Sequence, residues 1–266
     1  MKKIELEPKN IVLKTENLAI GYQSKKVENI IFSNINLSIN KGKLVTVLGK
    51  NGIGKSTLLR TISKVQNSLK GNIFINQKNL ETYTNKELAS SLSLVLTEKL
   101  PESQLTVFEI IALGRQPYTN WIDTLSNDDI EKVNWAIKQT EIQHLKNKLF
   151  YELSDGQLQR VLIARALAQD TDIIILDEPT AHLDLHHTIK IFSLLKKLVK
   201  ETSKTIIIST HEVNLSIKLS DEIVVMTDKK IYSGTTKELI NQEIFEKLFP
   251  NELVYFNKTL QQFVIN

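Results

Sequence analysis

The sequence contains no cysteine, which excludes disulfides, thiolate nucleophiles and cysteine-based zinc sites and fits a reducing compartment. It also lacks any run of about 18 apolar residues, so no membrane-spanning helix is expected. The stretch MKKIELEPKNIVLK at the start is charged and has no apolar h-region, so no export signal is expected either. Nor does one sign of charge dominate. The formal net charge is +4, with lysine and arginine spread along the chain rather than gathered into a block. A membrane-bound partner or an anionic nucleotide suits that balance as well as a polynucleotide does, and no nucleic-acid partner is expected. Internal repeats and low-complexity tracts are absent as well.

What is present suffices for a core. A chain of 266 residues with 41% apolar content makes one large domain, or one domain with a smaller lobe. Runs rich in valine and isoleucine read as strands: IVLKTENLAI, KLVTVLG, GNIFI, LSLVL, DIIILD, KTIIIST and DEIVVM. Three of them, at 43–49, 172–177 and 204–210, are nearly continuous apolar strings. Such strings suit strands buried on both faces of a parallel sheet covered by helices. Between the second and third, LHHTIKIFSLLKKLVKE sets Ile191, Leu194, Leu195, Leu198 and Val199 on one helical face with Lys190, Lys196, Lys197 and Lys200 opposite, a crossover helix of a βαβ unit. Residues 97–152 differ in character. Ser126 is placed to cap a helix with Asp128 and Asp129 in its first turn and Ile130, Val133 and Ile137 at helical spacing, which reads as an inserted helical lobe. After Gly234 the chain is weakly helical, then extended.

The chemistry-bearing segments follow strands. GKNGIGKST, covering Gly49, Lys50, Asn51, Gly52, Ile53, Gly54, Lys55, Ser56 and Thr57, lies between an apolar strand and the helix-like STLLRTIS. That is the setting in which G-x-x-x-x-G-K-[ST] forms a phosphate loop, its backbone N–H groups turned inward, its lysine on the β and γ phosphates and its serine on Mg²⁺. DIIILDEP ends a buried strand with Asp177 and Glu178 adjacent. Successive residues leaving a strand diverge, so Asp177 is directed to the Mg²⁺ shell and Glu178 to the water that attacks the γ-phosphate.

Taken in order, these segments resemble the ATP-binding subunit of ABC transporters. The chain carries a Walker A loop (49–56), a signature segment (153–157), a Walker B strand with its glutamate (173–178), a D-loop (181–184) and a switch histidine, His211, and the resemblance spans roughly residues 11–235. It implies an α/β P-loop NTPase of the ABC type, with a mostly parallel core sheet, an antiparallel β subdomain and an inserted α-helical subdomain. The implied units are 1–96 with 153–235 for the core, 97–152 for the helical insertion and 236–266 for a C-terminal extension. By the same resemblance Tyr22 stacks on adenine. Ser154, Gly156 and Gln157 contact the ATP held by a second copy in a head-to-tail homodimer, Glu178 polarises the water, and His211 touches the γ-phosphate. ATP and Mg²⁺ are the implied ligands. His182, His186 and His187 carry no such implication and read as solvated loop or helix-start residues.

Two positions depart from the family pattern. Where members usually have a glutamine before the helical lobe, LSLVLTEK has Thr97, whose hydroxyl is shorter by about two bonds. Either the loop sits closer, a water fills the gap or Glu98 takes over. The expectation is that Thr97 still senses the Mg²⁺ site while Glu98 faces solvent. In LSDGQLQR, Asp155 replaces a glycine. A carboxylate about 7 Å from a γ-phosphate would be repelled by about 2 kcal/mol at an effective dielectric near 20, against about 0.3–1 kcal/mol gained from the helix dipole. Asp155 is therefore expected to face away from ATP, leaving the Ser154 hydroxyl and the Gly156 N–H to bind it.

TVFEIIALGRQPYTNW and AHLDLHH resemble subunits serving importers of ferric siderophores, haem or cobalamin. The resemblance implies polytopic permease subunits docked at about residues 105–118, a periplasmic or lipoprotein substrate-binding protein, and a peripheral place on the cytoplasmic face of the membrane. The rival class is a soluble ABC ATPase acting on nucleic acid or ribosomes. Such proteins usually carry paired cassettes, a long coiled coil or a zinc module, none of which is visible. A nucleotide-binding scaffold without hydrolysis conflicts with Lys55, Asp177, Glu178 and His211.

Overall fold

The computed structural model describes residues 10–23, 27–96, 103–119, 124–228, 230–250 and 253–265. Its centre is a sheet of β4 (Leu44–Leu48), β7 (Leu92–Val95), β8 (Ile173–Asp177), β9 (Thr205–Ser209), β10 (Glu222–Met226) and β11 (Ile231–Gly234), in the order β11-β10-β4-β9-β8-β7. Every pairing from β10 to β7 is parallel, and β11 closes the edge antiparallel. The strings LVTVL, IIILD and TIIIS are buried at every residue, because both faces of the sheet are covered.

Period-two alternation divides those strands between two cores. Val45, Val47, Ile173, Ile175 and Ile207 face α1 (Lys55–Ile62) and a second sheet. Leu44, Ile174, Leu176, Ile206 and Ile208 face α6 (Leu185–Thr202) and the helices α3 (Val107–Ala112), α4 (Asn127–Gln139) and α5 (Asp155–Ala168). The second sheet is antiparallel, with β2 (Glu28–Ile35), β1 (Ile11–Gln23), β5 (Lys70–Ile75) and β6 (Lys78–Asn79) in that order and β3 (Ser38–Asn40) paired to β1. β2 has no counterpart among the apolar runs of the sequence. It is an edge strand whose only buried residues are Phe32 and Ile35, so it shows neither a continuous string nor a clean alternation.

The crossover helix α6 buries Ile191, Leu194, Leu195, Leu198 and Val199 as their spacing predicts, and joins the parallel neighbours β8 and β9. In α4, Ser126 caps through a reciprocal pair with Asp129, but the buried face is Asp129, Val133, Ala136 and Ile137, while Ile130 is exposed. The inward carboxylate explains the rotation. Asp129 accepts from Arg115 Nε at 2.8 Å, and Arg115 Nη1 donates to the carbonyl of Ala168 at 2.8 Å at the end of α5. Burial pushes the Asp129 carboxyl up, yet hydrogen bonds from Ser126 and Arg115 outweigh it and hold the group below the usual carboxylate range. Arg115 of the GRQPY string thus forms a buried clamp between α4 and the end of α5. The short helices α2 (Asn85–Ala89) and α7 (Val213–Leu219) precede β7 and β10, and beyond β11 follow α8 (Thr236–Asn241) and the hairpin β12 (Val254–Asn257) with β13 (Gln262–Ile265). Phe245 and Phe256 from this segment pack with Ile223, Val225 and Leu48, supporting the strand that enters the phosphate loop.

Candidate active site

The sheet order places the carboxyl ends of β4, β9 and β8 side by side, where ligands of open α/β sheets collect. From β4 the chain enters the glycine loop and then α1. Gly54, the N-cap of α1, has φ 110 and ψ 17, a conformation that a Cβ would strain. Lys55 is almost fully buried at the helix start, its Nζ donating to the carbonyls of Gly49 at 3.1 Å and Lys50 at 3.3 Å. Burial lowers the Lys55 pKa, opposed by the nearby charges of Glu178 and Asp177.

From β8, Asp177 is buried and its Oδ1 accepts from Ser56 Oγ at 3.0 Å and Ser209 Oγ at 2.6 Å. Glu178 follows with φ 49, a left-handed geometry that costs on the order of 1–3 kcal/mol for a residue other than glycine and clusters at functional sites. Its N–H donates to Ser209 Oγ at 2.9 Å. Its Oε1 lies 2.6 Å from His211 Nε2 and 3.8 Å from Lys55 Nζ. Ser209 was not among the residues singled out from sequence. The available signal was a small polar residue ending an apolar strand, but its value depends on the register that pairs Asp177 with Ser209.

Tyr22 is exposed at the end of β1, with its hydroxyl 3.1 Å from Thr57 Oγ1. Asn51 and Gly52 form the exposed outer turn of the loop, and Ile53 is partly buried against the core beneath it. Ser154 and Gln157 cap one another at the start of α5, Ser154 Oγ accepting from Gln157 N at 3.4 Å and Gln157 Oε1 accepting from Ser154 N at 3.2 Å. Asp155 is the exposed first residue of that helix. Among the described residues, no hydrogen bond or ion pair joins this segment to the glycine loop of its own chain. His182, His186 and His187 are exposed, as expected, and the ring of His187 stands where a Cβ at Gly156 would meet it. Thr97 and Glu98 lie outside the described residues.

A phosphate loop, a serine and aspartate pair and a glutamate and histidine pair therefore converge at the carboxyl end of the sheet, and residues 32–181 match the family model described as ABC transporter. The chain belongs to the ABC transporter family. It is an ABC ATPase, and it binds and hydrolyses ATP. The iron(3+)-hydroxamate import ATP-binding protein FhuC of Bacillus subtilis is 35% identical over 238 residues, covering 89% of this chain and 87% of that protein. The petrobactin import ATP-binding protein FpuD of Bacillus anthracis is 35% identical over 241 residues, covering 90% and 87%. Among solved structures, the dimeric ATP-binding cassette MJ0796 in a post-hydrolysis state, bound to ADP and Pi, superposes with a TM-score of 0.71 at 28% identity, covering 84% of this chain and 98% of that one. ABC ATPase subunits of this kind dimerise and pair with membrane permeases. Among the described residues of this ABC ATPase, no helix is long and apolar enough to cross a membrane.

Proposed function

We propose that this ABC ATPase drives uptake of a ferric siderophore, haem or cobalamin, held at the cytoplasmic face of the membrane by permease subunits docked near residues 105–118. A periplasmic or lipoprotein substrate-binding protein would deliver the cargo. The names of FhuC and FpuD favour a ferric chelate, while the GRQPY string suits all three cargoes. We further infer that the functional units are 1–96 with 153–235, 97–152 and 236–266.

One observation carries the catalytic assignment: Glu178 Oε1 lies 2.6 Å from His211 Nε2 and 3.8 Å from Lys55 Nζ on a strained backbone. Glu178 orients the attacking water and accepts its proton as the new bond to the γ-phosphorus forms and the β–γ bridge breaks. His211 holds the Glu178 carboxylate and the water in line, and Lys55 exchanges its loop carbonyls for phosphate oxygens. Gly49, Lys50, Asn51, Gly52, Ile53, Gly54 and Thr57 supply the loop around the phosphates, and Tyr22 stacks on adenine. Ser154, Gly156 and Gln157 act on the nucleotide of the second copy in a head-to-tail dimer.

Ser56 Oγ and Asp177 Oδ1, 3.0 Å apart, are hard oxygen donors of the type Mg²⁺ takes, and Thr97 is the third candidate. When bound there, Mg²⁺ neutralises charge on the β and γ phosphate oxygens. Ser209 serves the same pair by fixing Asp177 and the peptide of Glu178. The test is uptake of labelled ferric siderophore, haem and cobalamin in cells lacking the chain, complemented with wild type or Glu178→Gln. Loss of one cargo, restored by wild type alone, is expected, and normal uptake of all three would sink the importer assignment. Thr97→Ala should weaken the coupling of ATPase to transport, and unchanged coupling would exclude a sensing role.

A further inference from the structure

A side chain at Gly156 would meet the imidazole of His187. A Cβ there would lie 2.9 Å from Cδ2 and 3.4 Å from Cγ of His187, so the imidazole fills the space beside the glycine. The ring is held in place. His187 is the third residue of α6, its backbone N–H donates to Asp184 Oδ1 at 2.8 Å, and its Nδ1 lies 2.9 Å from the same oxygen. Asp184 caps α6 and ends the D-loop, 181–184, which follows closely on Glu178. That loop is closed by Ala181 N–H donating to the Glu178 carbonyl at 3.0 Å and Leu183 N–H to the Thr180 carbonyl at 3.2 Å. Thr180 Oγ1 in turn lies 3.3 Å from Thr210 Oγ1, next to His211. The His187 ring beside Gly156 is thus bonded to Asp184, and the loop from Asp184 back to Glu178 is tied by its own hydrogen bonds and by the approach of Thr180 to Thr210. His187 and Asp184 are about half exposed or more, at 48% and 66% of their side chains, so core packing does not account for their arrangement.

We propose that His187 is a positioning residue that sets the spacing between the start of α5 and the D-loop, so that engagement of the second copy's ATP by Ser154 and Gly156 is transmitted to the same chain's Glu178. The proposal rests on the assignment of residues 153–157 to the second copy's nucleotide. Its physical basis is the rigid, planar imidazole: one edge is fixed by the Asp184 carboxylate and another seats on a residue that has no Cβ. A flexible or shorter side chain at 187 leaves the two segments free to move apart, and displacements of about 1 Å at a catalytic constellation lower rates by as much as 100-fold.

The experiment uses the purified full-length chain. Steady-state ATPase is measured against ATP concentration for wild type, His187→Ala, His187→Asn and Gly156→Asp, alongside thermal unfolding and the affinity for a fluorescent ATP analogue. His187→Ala should lower kcat about 10-fold and bring the Hill coefficient toward 1, with analogue affinity and Tm unchanged. His187→Asn restores an N–H for Asp184 but not the ring against Gly156, and should recover only part of kcat. Wild-type kcat and cooperativity in His187→Ala, with Gly156→Asp inactive, would overturn the role of His187 and leave the signature assignment standing. Wild-type cooperativity in Gly156→Asp would overturn that assignment and the proposal with it. A His187→Ala protein that loses analogue affinity or Tm in step with kcat would show a scaffolding role instead, which also overturns the proposal.

Discussion

Replacing Asp129 by alanine should cost the helical lobe about 3–5 kcal/mol, the range for leaving one partner of a buried ion pair without its counter-charge. The magnitude follows from the environment of both groups. Arg115 and Asp129 are each 4% exposed. The carboxylate accepts from Arg115 Nε at 2.8 Å and from Ser126 Oγ at 2.7 Å and N–H at 3.0 Å. Once it is gone, the guanidinium retains the Ala168 carbonyl and, 4.0 Å away, the largely exposed carboxylate of Asp128. Loss of the α4 cap alone would account for only about 1 kcal/mol, so the buried guanidinium dominates. Against a typical total of about 5–15 kcal/mol, such a loss is large. For a chain of this size it corresponds to roughly 6–20 °C in Tm. The assay is urea and thermal unfolding followed by circular dichroism and by the emission of Trp135, which packs against the lobe core. Combining Arg115→Met with Asp129→Ala, which leaves no buried charge without its counter-charge, should be milder. A loss under about 1 kcal/mol for Asp129→Ala, with permease-stimulated ATPase abolished, would refute the clamp and return Arg115 to the docking surface.

The remaining expectations are independent of that pair. Burial pushes the Asp170 carboxyl up, but hydrogen bonds from Lys132 and Lys204 pull it down to about 2. Because its folded pKa is depressed, its stabilisation is present above about pH 4 and lost as pH falls toward 2. With a third of the side chain exposed, screening reduces that contribution to about 1 kcal/mol. Urea midpoints of wild type and Asp170→Asn should therefore differ at pH 6 and merge near pH 2, and a gap that persists at low pH would rule out the ion-pair origin. Glu178→Gln should lower ATPase kcat by about 100-fold to 10,000-fold while retaining ATP and trapping the ATP-bound dimer. More than a tenth of wild-type turnover would exclude Glu178 as the base. Asp155→Gly should change ATPase activity only modestly, whereas Gly156→Asp should abolish it, and the reverse ranking would show that the carboxylate of Asp155 faces the nucleotide.

Local chemistry made much of this legible. Continuous apolar strings identified the inner strands because a parallel sheet covered on both faces needs no polar side. The phosphate loop could be read from glycine spacing and context, since its ligand groups lie within nine consecutive residues. What escaped was set by partners distant in sequence. β2 is an edge strand with two buried residues, so its pattern carries little periodic signal. The face of α4 turned toward Asp129 because Arg115, fourteen residues earlier in the chain, finds a buried counter-charge there. Ser209 gained its part from strand register, and His187 from the seat that Gly156 offers.

By itself, then, the sequence determined the family, the strands of the central sheet and the loop that surrounds phosphate, because each depends on neighbouring residues and on periodicity. Only the tertiary structure decided which polar groups meet: Ser56 and Ser209 on Asp177, His211 and Lys55 at Glu178, His187 against Gly156. The pairings at Asp177 and Glu178 arise where separate strands and a helix start meet at the carboxyl end of the sheet, and no spacing along the chain encodes a distance of 3 Å between residues 31 or 121 positions apart.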